Sequence, residues 1–192
     1  MVNVAVVGYG FAGKSFHSYL VGLEERMTLH TISTRNPERQ ARAREDHPGV
    51  NVVGSLDGVL ADDDIDLVVL ATPHNTHRDL AVAAMDAGKP VVSDKIVAMN
   101  APETVEMAEA AERNGVLFSV DHTRRWIPLW RHLVEEVIGG GQVGEVQYVV
   151  GTLSGSRGSL FRNGTHLIDA LCYLAGSDPE WVFAELERGY ED

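Results

Sequence analysis

The opening residues constrain this chain most. Val2-Asn3-Val4-Ala5-Val6-Val7 is a short apolar run rich in β-branched residues, and it reads as a strand buried on both faces of a parallel sheet. It stops at Gly8-Tyr9-Gly10-Phe11-Ala12-Gly13. Glycines at this spacing, between a strand and a helix, have separate jobs. Gly8 permits the tight turn, Gly10 lets backbone approach a pyrophosphate, and Gly13 lets the helix pack close to the strand. The candidate cradle is Gly8, Gly10, Phe11, Ala12 and Gly13, at a helix N-terminus facing phosphates.

The pattern after the turn supports that context. Strands are expected at Met27 to Ser33, Val52-Val53, Ile65 to Ala71, Pro90 to Ser93 and Val116 to Val120. Helices are expected between them. One starts at Asn36-Pro37-Glu38, where Asn suits the N-cap and Pro the first helical position. Others run from Asn75 to Ala87, stopped by Gly88, and from Ala101 to Asn114, stopped by Gly115. Strands alternating with helices at this spacing imply an α/β fold, a Rossmann-type doubly wound parallel sheet over residues 1–121.

The pattern changes after that. Ile127 to Ile138 reads as a helix, Glu145 to Leu153 as a strand, Ser154 to Gly164 as a polar loop, His166 to Ala175 as a helix and Trp181 to Leu186 as a strand. Two strands and two helices are too few to bury a sheet face. Residues 122–192 therefore read as a linker helix and the start of a second α/β domain for substrate binding and oligomerisation. It is either truncated or completed by another subunit.

Composition excludes some partners. The 192 residues carry a formal charge of −12, so nucleic acid and anionic membranes are not expected, since phosphate binding needs surplus Lys and Arg. No apolar run is long enough to cross a bilayer, and no leader is evident. The expectation is a cytoplasmic protein. The lone Cys172 reads as a packed thiol, and the histidines match no metal-ligand spacing.

The end of the second strand bears on cofactor choice. A carboxylate there ordinarily accepts the ribose hydroxyls of NAD. Here the stretch is Ser33-Thr34-Arg35-Asn36. Thr34 can donate to a 2′-phosphate, and Arg35 can pair with it and stack on adenine. The reading prefers NADP, with NAD as the alternative.

Four segments then line up: the glycine turn, Ala71-Thr72-Pro73-His74-Asn75-Thr76-His77, Asp94-Lys95 and Gly164-Thr165-His166-Leu167-Ile168-Asp169. With Ala87-Gly88-Lys89-Pro90-Val91 and Arg124-Arg125-Trp126-Ile127-Pro128, the chain resembles the glucose–fructose oxidoreductase / inositol dehydrogenase (Gfo/Idh/MocA) family over nearly its whole length. The resemblance implies NAD(P)-dependent oxidation or reduction of a sugar, cyclitol or related alcohol. It also implies a second domain on a large open sheet, through which subunits pair as homo-oligomers.

Carried over by residue, Lys95 matches the lysine of the family's Glu-Lys-Pro motif, which hydrogen-bonds the reacting oxygen. His166 matches the histidine that exchanges the hydroxyl proton. Thr72, Pro73 and His77 match the turn at the nicotinamide end. His122, Arg124, Arg162, Asn163 and Asp169 are the candidate substrate contacts. Three positions depart from the pattern. Asp94 replaces Glu, Ile96 replaces Pro, and Arg162 stands where many members have an Asp four residues before the histidine. An arginine there favours an anionic substrate such as a uronate or nucleotide-sugar. The competing reading is a non-catalytic NADP-binding regulatory module, or a fragment without a complete substrate site.

Overall fold

The computed structural model describes residues 1–154 and 163–185. The chain divides into two compact units, Met1–Asp121 and His122–Asp192.

The first unit holds six strands: β1 (Val2–Val7), β2 (Met27–Ser33), β3 (Asn51–Val53), β4 (Leu67–Leu70), β5 (Val91–Ser93) and β6 (Phe118–Val120). They form one sheet in the order β3-β2-β1-β4-β5-β6, and every pairing is parallel. The chain winds outward from β1 in one direction, then returns to its other side at β4. That reversal opens a crevice at the strand C-termini, where this architecture binds ligands.

A continuous helical run follows β1: a π-helical stretch Gly13–His17, then α1 (Ser18–Leu23). The others are α2 (Pro37–Asp46), the short α3 (Asp57–Leu60), α4 (His77–Asp86) and α5 (Ala101–Asn114). Sequence reading missed α3, which is a single turn. The caps follow side-chain chemistry. Asn36 and Asn100 accept from the backbone N–H of Arg39 and Glu103, and Gly115 ends α5 in the left-handed region at φ +63°.

Alternation in β1 divides the core. Ala5 and Val7 join Val68, Leu70 and Val91 beneath Ala81, Ala84 and Met85 of α4 and Met107 and Ala110 of α5. Val4, Val6 and Val69 pack with Val21 on the other face. Burying one side chain the size of Leu70 or Met85 contributes about 1.5–3 kcal/mol. Lys89 is buried too, its Nζ donating to the carbonyls of Asp62 and Ile65 at 2.8 and 3.1 Å. It anchors the loop before β4.

The second unit contains α6 (Pro128–His132), a π-helical stretch Leu133–Ile138 and α7 (Thr165–Ala175). The strand expected at Glu145–Leu153 is absent. So is the one expected from Trp181, over its described residues 181–185. Both segments are rich in strand-forming residues, but Tyr148, Val150 and Trp181 are exposed, and no neighbour among the described residues pairs with either segment. A strand needs a ladder partner as well as suitable side chains. No helix among the described residues is long and apolar enough to cross a membrane.

Candidate functional site

The three turn glycines are distinguished by what a side chain would meet. At Gly8, with φ +102°, a Cβ would lie 2.4 Å from the Ala71 carbonyl oxygen, and at Gly13 it would lie 1.9 Å from that of Gly8. Both glycines are required by the protein's own packing. At Gly10 a Cβ would meet only Arg39 Nη1, at 3.8 Å. Space over Gly10 is therefore not consumed by the fold, as expected where a pyrophosphate approaches backbone. The residues present fit a dinucleotide. Phe11 is exposed, Ala12 partly so, and Gly13 buried.

The turn is braced from below. Tyr9 is buried and its hydroxyl donates to Asp46 at 2.9 Å, while Lys14 Nζ pairs with the same carboxylate at 2.6 Å. Burial, then the Asp46 hydrogen bond, push the Tyr9 hydroxyl well above its ordinary range. Hydrogen bonds from Lys14 and then Tyr9 hold Asp46 below the usual carboxylate range.

At the end of β2, Thr34 is buried, and its carbonyl accepts from Gln40 Nε2 at 2.8 Å. Arg35 is exposed. Sequence reading missed Arg39, whose guanidinium reaches Gly10 from α2. Its signal was available: it lies in the first turn of a helix leaving this strand end.

Across the crevice, Thr72 and Pro73 follow β4. Thr76 Oγ1 lies 2.8 Å from Thr72 Oγ1 and 2.6 Å from the Pro73 carbonyl oxygen. His77 is fully buried. Its Nδ1 is 2.8 Å from the Ile96 carbonyl oxygen and its Nε2 2.9 Å from that of Thr72.

Lys95 follows β5. Asp94 N–H donates to the Leu70 carbonyl at 2.9 Å, and Asp94 Oδ1 accepts from Lys95 N–H at 2.8 Å. The Lys95–Ile96 peptide bond is cis. Asp94 Oδ2 lies 3.7 Å from Nε2 of the buried His17. Burial raises the Asp94 carboxyl, but the adjacent His17 imidazole, then the N–H and ammonium of Lys95, outweigh it and hold the group below its ordinary range. Donor atoms of His17, Asp94 and Asp121 lie within 4.8 Å of one another. Sequence reading did not anticipate this cluster.

In the second unit, α7 carries His166 and Asp169. Asp169 accepts from Arg125 Nε at 2.9 Å and lies 3.7 Å from His122 Nδ1. That His122 nitrogen is buried without a hydrogen-bond partner. The His122 and His166 rings meet edge to face at 6.4 Å. Arg124 lies over the Trp130 ring at 5.9 Å, so part of the indole face is used internally. Asn163 is exposed, and Arg162 lies outside the described residues.

Comparison with known proteins agrees with this architecture. The Gfo/Idh/MocA profile, described as an oxidoreductase family with an NAD-binding Rossmann fold, matches residues 2–122. The chain is 35% identical over 147 residues to YdgJ, an uncharacterised oxidoreductase of Escherichia coli, covering 77% of this chain and 41% of that protein. It is 32% identical over 189 residues to the scyllo-inositol 2-dehydrogenase (NADP(+)) IolW of Bacillus subtilis, covering 91% and 52%. A crystal structure of an oxidoreductase from Klebsiella pneumoniae superposes with a TM-score of 0.78 at 34% identity, covering 91% of this chain and 51% of that one. The chain thus spans about half the length of the curated relatives it matches.

Proposed function

This chain belongs to the Gfo/Idh/MocA oxidoreductase family, with its NAD-binding Rossmann fold, and on that premise we propose that it serves an NADP-preferring oxidoreductase acting on a sugar, cyclitol or nucleotide-sugar alcohol or its ketone. The observation that carries the reading is the pairing of the open cradle at Gly10 with the Lys95 turn on strands of one sheet.

Gly8, Gly10, Phe11, Ala12 and Gly13 hold the pyrophosphate. The preference for NADP rests on the β2 end, where no carboxylate stands. Arg35 and Arg39 bring two guanidinium groups suited to a 2′-phosphate, and the buried Thr34 shapes the turn between them. Thr72 and Pro73 line the nicotinamide end. When bound, the nicotinamide supplies or accepts a hydride.

Lys95 hydrogen-bonds the reacting oxygen and stabilises its developing negative charge. His166 exchanges the hydroxyl proton. Asp169 and His122 orient that end, and Arg124, Arg162 and Asn163 contact the remainder of the substrate. The name of IolW, an NADP(+)-dependent scyllo-inositol 2-dehydrogenase, supports a cyclitol as the first substrate class to assay.

Arg162-Asn163, in place of an acid before His166, favours a second reading: a non-catalytic NADP-binding module. The two readings part on Lys95→Ala. The enzyme reading expects turnover of cyclitols with NADP(+) to fall far more than NADPH affinity. Equal losses of both, or no turnover to lose, favour the module.

A further inference from the structure

β4 and β5 stay in register only as far as Leu70 and Ser93. Beyond that point the ladder stops, and the carbonyls of the two following turns need other partners. His77, the first residue of α4, supplies them. Its ring is fully buried, with Nδ1 2.8 Å from the Ile96 oxygen and Nε2 2.9 Å from the Thr72 oxygen. One carbonyl belongs to the turn after β4 and the other to the residue following Lys95.

A carbonyl oxygen only accepts, and a neutral imidazole carries a single N–H. A neutral ring would leave one nitrogen lone pair facing an oxygen at bonding distance, out of reach of water. Both contacts are hydrogen bonds only when both nitrogens bear hydrogen. We propose that His77 is a positioning residue: a doubly donating imidazolium that bridges the Thr72 and Ile96 carbonyls and fixes the turn carrying Lys95.

The backbone is thereby tied on either side of Lys95. On one side Asp94 N–H bonds the Leu70 carbonyl, and its side chain takes the Lys95 N–H. On the other side the imidazole holds Ile96. His77, fully buried, acts through the two turns. The consequence for turnover rests on the reading of Lys95 given above; the protonation and bridging do not.

The test is a long-range proton–nitrogen correlation spectrum of the histidine rings in this chain in neutral buffer, with the exposed His132 as internal reference. The expected result is hydrogen on both His77 nitrogens. A bare nitrogen on His77 overturns the proposal. His77→Phe keeps an aromatic ring and removes both bonds. It is expected to shift the carbonyl-carbon resonances of Thr72 and Ile96 together toward non-bonded values and leave those of β1 in place. Unmoved resonances at both residues also overturn it. If His77→Phe does not fold, the wild-type ring nitrogens decide. Full turnover in Lys95→Ala would end the catalytic reading and leave the His77 result standing.

Discussion

Gly13→Ala should destabilise the fold, and Gly10→Ala should not, although both sit in one turn. At Gly13 the new Cβ lies 1.9 Å from the Gly8 carbonyl oxygen, 2.9 Å from its carbon and 3.4 Å from Ala71 Cβ. That is roughly 1.5 Å inside ordinary contact. The obstacle is backbone, so no rotamer change relieves it and the helix must lift off β1. Overpacking of this kind costs about 1–3 kcal/mol, and an immovable neighbour places it at the upper end. The lower unfolded-state entropy of alanine returns about 0.4–1 kcal/mol. The net expectation is about 2 kcal/mol out of a total of roughly 5–15 kcal/mol. With a urea slope of about 1–3 kcal/mol/M, the unfolding midpoint should fall by roughly 1 M at unchanged slope. Gly10→Ala meets only the flexible Arg39, at 3.8 Å. Its stability should stay within about 0.5 kcal/mol of wild type, while NADPH affinity falls because a methyl occupies the approach to backbone. Equal midpoints for Gly13→Ala and wild type, or equal destabilisation by both variants, would refute the division of labour.

Three further outcomes are expected. Asn100→Ala should cost about 1 kcal/mol in thermal or urea unfolding, because Asn100 Oδ1 accepts from Glu103 N–H at 3.0 Å, and Asn100→Gly should cost only a few tenths. The Asp94 carboxyl is held below its ordinary range. Its contribution to stability is therefore present above the unfolded-state value and is lost as pH falls through the folded one. Asp94→Asn should flatten the acid limb of a stability-against-pH curve, and a limb as steep as wild type would contradict that assignment. Arg39→Ala should weaken NADPH binding more than NADH binding; equal weakening would move Arg39 from the 2′-phosphate to the shared pyrophosphate.

Much of the first unit was legible in sequence because its signals are local. Strands buried on both faces read as unbroken β-branched runs, and Asn36, Gly88 and Gly115 punctuate the helices by side-chain and backbone chemistry. Ile65 to Ala71 was expected as one strand, but only Leu67–Leu70 pairs, since ladder length is set by the neighbours. The Glu145–Leu153 segment failed for the same reason: strand-forming side chains do not by themselves supply a ladder partner. Long-range pairings left no local trace. Arg125 meets Asp169 across 44 residues, and His17 meets Asp94 from another element. His77 was legible only as a motif position in the turn after β4. Its complete burial, and so its bridging of two carbonyls, follows only from the packing of α4 against the sheet.

The most direct measurement is a fluorescence titration of this chain with NADPH and, separately, NADH. The account predicts saturable binding of both, tighter for NADPH, and weakened in Gly10→Ala. A folded chain that binds neither nucleotide would contradict it.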